Sequence, residues 1–166
     1  NMATMIAVIT TDAPLAAPDL SQALTAAVNK SFNKVTVDSD TSTNDTCFAL
    51  ASGAAAPDGP AFTPGTPAFD AFQRALDQLA TTLARKMAAD GEGASRLITC
   101  TVRGARSEEN AERLAKAVVG SSLVKAAMFG SDANWGRVLC AMGYSKAPFR
   151  PEHVDVTFQS LSLIHI

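Results

Sequence analysis

Phe69, Phe72, Leu76, Leu79, Leu83 and Met87 recur three or four residues apart, and no other feature constrains the fold of this chain as strongly. At 3.6 residues per turn they form one apolar stripe over about five turns, which predicts an amphipathic helix. A helix of that kind is stable only if a second layer covers the stripe. Gly91 follows the last turn as a stop signal.

The segments on either side predict what that layer is. Thr4 to Thr11 is rich in β-branched residues and reads as a strand, ended by the turn chemistry of Asp12-Ala13-Pro14. Leu20, Leu24, Val28 and Phe32 then recur every fourth residue, with Asp19 and Ser21 near the start as cap candidates, which predicts a second amphipathic helix. Val35 to Asp38 is a short strand candidate, and Cys47 to Ala51 is a second apolar stretch. Ala54 to Pro67 holds four prolines and two glycines and reads as a loop with little power to pack. Beyond the long helix, Arg96 to Val102 is β-rich and ends at Gly104. Ser107 with Glu108 and Glu109 begins a capped helix whose apolar face is Ala111, Leu114, Ala115 and Val118. Asn134 to Tyr144 fits a shorter helix, and His153 to Phe158 alternates like a half-buried strand. Strands alternating with helices predict an α/β fold, a layered sandwich of β-sheets with packed helices.

Composition narrows the function classes. The 166 residues suit one ordinary domain, and a net charge of -2 gives no basic patch of the sort that nucleic acid requires. Met5 to Ile9 is apolar but far shorter than the roughly 20 residues that span a bilayer. Cys47, Cys100 and Cys140 are odd in number and widely spaced, and His153 and His165 sit in no paired ligand spacing. They read as buried free thiols in a reducing compartment, with no metal site, and the chain is expected to be cytoplasmic.

Four short segments carry possible chemistry. In "DSDTSTND", Asp38, Asp40, Ser42, Asn44 and Thr46 alternate as calcium ligands do. Yet Thr43 stands where an EF-hand needs Gly, and Ala49 where it needs a bidentate Glu, so a hydrogen-bonded turn is expected. "GSDANWGR", Gly130 to Arg137, is open to two readings, a ligand site or a tight loop whose Trp plugs the core. Glu92 lies between two glycines, which allow a close backbone approach to a ligand and also suit a plain helix-to-strand turn. Thr4 follows the small Ala3. A chain cut between them leaves Thr4 an α-amine of pKa about 7.7 to 8.0, a built-in general base for its own hydroxyl. An inert strand residue is the other reading of Thr4.

Taken together, "NMATM", "DSDTSTNDT", "DGEGAS", "SSLVKAAMFG" and "GSDANWGR", in this order and at these separations, closely resemble the self-cleaving ornithine acetyltransferase family of arginine biosynthesis, also called glutamate N-acetyltransferases. The resemblance covers nearly the whole chain. It implies an ornithine acetyltransferase-like α/β fold, autocatalytic cleavage between Ala3 and Thr4, and Thr4 as nucleophile and first residue of a β chain. Asn1-Met2-Ala3 would then be the tail of an α chain that stays associated, as a heterotetramer of two α and two β chains. Glu92 matches the family's substrate-binding Glu. The implied reaction moves acetyl from N-acetylornithine to glutamate through an acetyl-Thr ester, with acetyl-coenzyme A as a donor in some members and no metal or resident cofactor.

Two departures from the family pattern bear on this. Ala133 stands where the family commonly has Pro. The family's oxyanion donors and a substrate-binding Lys belong before Asn1, with further substrate contacts near a C-terminus this chain does not reach. Residues 1–160 are therefore expected to be a partial β-chain domain carrying a three-residue α-chain tail, inactive alone. "LSLIHI", Leu161 to Ile166, resembles the translation of an adapter used in DNA library preparation and is expected to be non-native. Two rival readings are a self-cleaving aminopeptidase with an N-terminal nucleophile and a non-catalytic assembly domain.

Overall fold

The structure is a computed structural model and describes residues 5–159. The chain divides between Ala94 and Ser95 into two compact units, a boundary that neither length nor composition marks.

The first unit is a βαβα arrangement. Strand β1 (Ile6–Thr11) is followed by helix α1 (Ala17–Lys30), a 3-10 turn at Phe32–Lys34, strand β2 (Thr46–Ala51) and helix α2 (Pro67–Ala89). The strands pair in parallel, with Ile6 opposite Thr46 and Thr11 opposite Ala51. A parallel pair needs a long crossover, which α1 supplies. Side chains alternate across the ribbon, so Ala7, Ile9, Cys47 and Ala49 face inward. There Ala7, Ile9 and Cys47 meet Ala23, Ala27, Leu76, Ala80 and Ala84 in one cluster. Four of those five helix residues are alanines, at most 2% exposed, and small side chains at the seam let helix and sheet backbones come close. The opposite face of the ribbon presents Ile6, Val8, Phe48 and Leu50, each more than half exposed.

The long helix forms where the stripe predicts it. Thr66 accepts a hydrogen bond from the Phe69 amide at 3.3 Å, and Pro67 sits at the first helical position where its missing N–H costs nothing. The last turn closes through the Asp90 amide onto the Lys86 and Met87 carbonyls. Helix α1 departs from expectation at its start. It begins at Ala17 with Ala16 as cap residue and no side-chain cap, because Pro18 presets the first turn ahead of Asp19 and Ser21. Gln73 Nε2 donates to the Ala23 carbonyl, and Lys30 pairs with Asp77 at 2.6 Å. Contacts that advance together along both helices mean that α1 and α2 run parallel.

Two further expectations change. Val35 to Asp38 is not a strand. The Val35 amide bonds back to Phe32, Ser39 takes a left-handed φ of 75°, and Asp38 Oδ1 accepts from the Asp40 amide. Such local side-chain bonds compete with a ladder. In the Ala54 to Pro67 loop, Phe62 does pack against the core, held by its amide on the Pro14 carbonyl at 2.7 Å.

The second unit holds helices α3 (Glu108–Gly120), α4 (Ser122–Phe129) and α5 (Trp135–Gly143) around Leu114, Val118, Val124, Val138, Ala141 and Met142. Ser107 caps α3 through the Asn110 amide, as its sequence predicts. Helix α4 is an element that periodicity alone does not mark. Its signals are the Ser121 cap, bonded to the Val124 amide, and Gly130 beyond its end. Arg96 to Val102 and His153 to Phe158 were expected as strands. Ile98, Cys100 and Val102 alternate with exposed Leu97, Thr99 and Thr101, and Val154 and Val156 do the same around Asp155. The period-2 pattern is therefore real, but neither segment has a ladder partner among the described residues, and Pro151–His153 is a 3-10 turn.

Candidate nucleophile site at the head of the sheet

Thr4 and the Ala3–Thr4 bond lie outside the described residues, which begin at Met5. Both backbone groups of Met5 are held. Its amide donates to Asp45 Oδ1 at 2.8 Å, and its carbonyl accepts from the Thr46 amide at 2.7 Å. Its side chain packs against the cluster under the sheet. Asp45 lies near the end of the polar run for which the sequence predicts a hydrogen-bonded turn rather than calcium ligation. The run is organised as turns: Ser42 Oγ accepts from the Asn44 amide, and the Thr46 hydroxyl donates to the Asn44 carbonyl. Among the described residues, no three His, Cys, Asp or Glu side chains group as metal ligands.

Glu92 is exposed in a turn closed by the Ala94 amide on the Gly91 carbonyl at 2.8 Å. Gly93 supplies the left-handed residue of this turn, at φ 69°. Topology decides where the turn lies. Ile9, Thr10 and Thr11 share a cavity with Leu20 of α1 and with Phe72, Leu76 and Leu79 of α2. The starts of both helices thus lie toward the C-terminal end of the strands, and α2 runs back to the opposite end. That return brings Glu92 to the same end of the sheet as Met5. The larger open concavity, about 710 Å³, lies at the other end, between Thr10, Asp12, Leu50 and Ser52.

The loop from Gly130 to Arg137 is closely bonded within the second unit. Ser131, at φ 56°, accepts from Arg96, Asn134 Nδ2 donates to Asp132, and Asn134 Oδ1 caps α5 through the Arg137 amide. Arg137 Nη1 in turn donates to the Leu123 carbonyl. Trp135, however, is 64% exposed, so it does not plug the core, and a hydrogen-bonded loop with an outward indole replaces that reading. Burial raises the Cys47 and Cys100 thiols above their ordinary value. Cys140 is exposed, against the expectation that all three thiols are buried. It falls on the outer side of α5, whose inner side is Val138, Ala141 and Met142.

A strand that begins just after Met5, backed by parallel helices that carry an acidic turn to the same end, defines an α/β protein with its candidate chemistry at the N-terminal end of the sheet. Comparison with known proteins names the family. The pattern of the ArgJ family matches residues 1–165, and the chain belongs to that family. It is 49% identical over 164 residues to the arginine biosynthesis bifunctional protein ArgJ of Desulfotalea psychrophila, and 48% identical to that of Geobacillus stearothermophilus, with 99% of this chain aligned in each case. The solved structure of arginine biosynthesis bifunctional protein ArgJ from Bacillus halodurans is similar with a TM-score of 0.85 and 46% identity. That match covers 89% of this chain and 68% of the solved one. The chain spans 41% and 40% of the length of the two bacterial relatives named first.

Proposed function

We propose that the full-length protein containing this chain is a glutamate N-acetyltransferase of arginine biosynthesis that moves acetyl from N-acetylornithine to glutamate. The observation that carries the reading is the ArgJ-family match along residues 1–165, which includes the "NMATM" motif at the chain's head. Relatives at 48 to 49% identity are arginine biosynthesis bifunctional proteins by name. In this reading the Ala3–Thr4 bond cuts itself, Thr4 becomes an N-terminal residue, and its α-amine serves as general base for its hydroxyl.

The reaction is a double displacement. Thr4 Oγ attacks the acetyl carbonyl, the amide C–N bond breaks, and ornithine leaves with the proton held by the Thr4 amine. The glutamate amine then attacks the ester, the C–Oγ bond breaks, and Thr4 recovers its hydroxyl proton. Each half passes through a tetrahedral oxyanion that needs positioned donors, and the α chain of the same precursor is assigned to supply them. Glu92 is assigned to bind substrate, its carboxylate suiting the ornithine ammonium. Two α and two β chains form the working heterotetramer, with no metal or resident cofactor and with acetyl-coenzyme A as a possible second donor. We place it in the cytoplasm; the free, half-buried thiols of Cys47 and Cys100 suit a reducing compartment, and no described helix is long and apolar enough to cross a membrane.

Incubating full-length protein with acetyl-labelled N-acetylornithine tests the reading. The Thr4 peptide is expected to gain one acetyl group, which glutamate then removes as N-acetylglutamate, and Thr4→Ala is expected to abolish both steps. Label that never reaches Thr4, or release of acetate to water with no transfer to glutamate, would overturn it.

A further inference from the structure

We infer that Asp45 is a positioning residue for the nucleophile, acting through the backbone of Met5; the inference rests on the reading of Thr4 proposed above. A parallel ladder accounts for the Met5 carbonyl, which takes the Thr46 amide at 2.7 Å. It does not account for the Met5 amide, which lies beyond the last paired position, Ile6 opposite Thr46. That N–H is met instead by a side-chain carboxylate, Asp45 Oδ1, at 2.8 Å and forty residues away in sequence. Consecutive residues at the start of β2 therefore hold both polar groups of one residue, the one immediately after Thr4.

The consequence follows from covalent geometry. The Met5 N–H belongs to the Thr4–Met5 peptide unit, whose six atoms, Thr4 Cα included, share one plane. The bond to the Met5 carbonyl, in the next peptide unit, and the packed Met5 side chain hold Met5 itself in place. With Met5 N and Cα so placed, the direction of the N–H sets the orientation of the Thr4–Met5 peptide plane. What is left to Thr4 is its own backbone torsions and a χ1 that β-branching restricts. A carboxylate suits the task better than a neutral acceptor, since its charge-assisted bond is shorter and stronger. Asp45 is half-buried beside this bond. A role limited to holding β1 in the sheet is the competing account, and it makes a different forecast, because β1 also carries the rest of its ladder and Ile9 in the core.

The test uses full-length protein, with acetylation rates measured in a single turnover with N-acetylornithine and divided by the fraction of chains whose N-terminus is Thr4, read by mass spectrometry. Asp45→Ala is expected to lower the acetylation rate about 10- to 100-fold, because a small misplacement of a reacting group costs on that order, while KM stays within about threefold of wild type. Asp45→Asn keeps an Oδ1 acceptor in place and is expected to recover most of the rate. Equal rates for Asp45→Ala and wild type, or equally slow Ala and Asn variants, would overturn the inference. Should Asp45→Ala fail to fold or to cut, Asp45→Glu takes its place, its acceptor displaced by a methylene. A Glu variant slower than the Asn variant supports positioning, and equal rates refute it. Wild type that never acetylates Thr4 removes the proposed function and this inference together, whereas an unaffected Asp45→Ala removes this inference alone.

Discussion

Gln73 on α2 donates through Nε2 to the Ala23 carbonyl on α1 at 3.1 Å, and its same amide group also donates to Asp77 at 2.7 Å, one turn further along. Ala23 is fully buried, so the bond crosses the packed seam between the two helices. One side chain thereby joins the helices to each other and to the Lys30–Asp77 pair at the surface. The packing that supports the sheet from below depends on this seam staying narrow.

A larger side chain at the seam should therefore be costly. Ala80 is fully buried in the same cluster as Ala23, Ile9 and Leu76, and Ala80→Leu is expected to destabilise the protein by about 1 to 3 kcal/mol through overpacking. Leu76→Ala removes apolar volume from the same place, and its expected cost is about 2 to 5 kcal/mol. Thermal or urea unfolding of the two variants measures both. A Leu76→Ala variant as stable as wild type would mean that the sheet is not held by this face.

The three thiols should separate by environment. The Cys47 and Cys100 thiols are pushed above their ordinary value by burial, so at pH 8 each holds less thiolate than a free cysteine, and the thiolate is the reacting form. Cys140 is exposed. Iodoacetamide at pH 8 is expected to label Cys140 first. The rates at Cys47 and Cys100 should keep rising at pH values where the labelling of an ordinary thiol has levelled off. Peptide mapping over a pH series checks this, and labelling of Cys47 ahead of Cys140 would contradict it.

How much of this was open to reading in the sequence depends on the range of the interaction. Helix α2 is legible because a period of 3.6 is printed in its own residues. Helix α4 is nearly all apolar over eight residues, Ser122–Phe129, so no stripe stands out, and only its cap and following glycine betray it. Arg96 to Val102 shows the other limit: alternation records which side chains face a core, while a strand also needs a partner that its own residues do not encode. The roles proposed for Thr4 and Glu92 rest on collinear motifs, each weak alone. The Met5–Asp45 bond was not legible, since neither residue carries a local mark of a contact forty positions away. Trp135 misleads for a related reason. Aromatic residues are buried on average, but the Asn134 cap and the helical turn that follows point this one outward.

Thr36 offers a test in the opposite direction. Its hydroxyl is buried and has no hydrogen-bond partner among the described residues. A hydroxyl withdrawn from water without compensation costs on the order of 1 to 3 kcal/mol. Thr36→Val keeps the shape and removes the orphaned group, and it is expected to stabilise the protein, raising Tm by about 2 to 4 °C per kcal/mol recovered. A lower Tm for Thr36→Val would show that the hydroxyl is paired in solution.

The turn at Glu92 separates chemistry from conformation within two residues. Under the proposed function the Glu92 carboxylate binds substrate, and losing a hydrogen bond to a charged group costs about 1.5 to 3 kcal/mol, so Glu92→Gln should lower kcat/KM for N-acetylornithine about 10- to 100-fold. Its stability should hardly change, because the side chain is exposed and bonds to none of the described residues. Gly93 reverses the pattern. A Cβ there meets nothing within 4 Å, but the φ of 69° is one that L-residues adopt only at a cost of about 1 to 2 kcal/mol. Gly93→Ala should therefore lower Tm, and it should lower activity only as far as the turn reshapes. Gly93→Asn, whose side chain tolerates the left-handed region, should restore much of both. Steady-state kinetics and unfolding measured on all three variants decide the matter: a Glu92→Gln enzyme with unchanged kcat/KM would remove Glu92 from the site, whatever the glycine variants do.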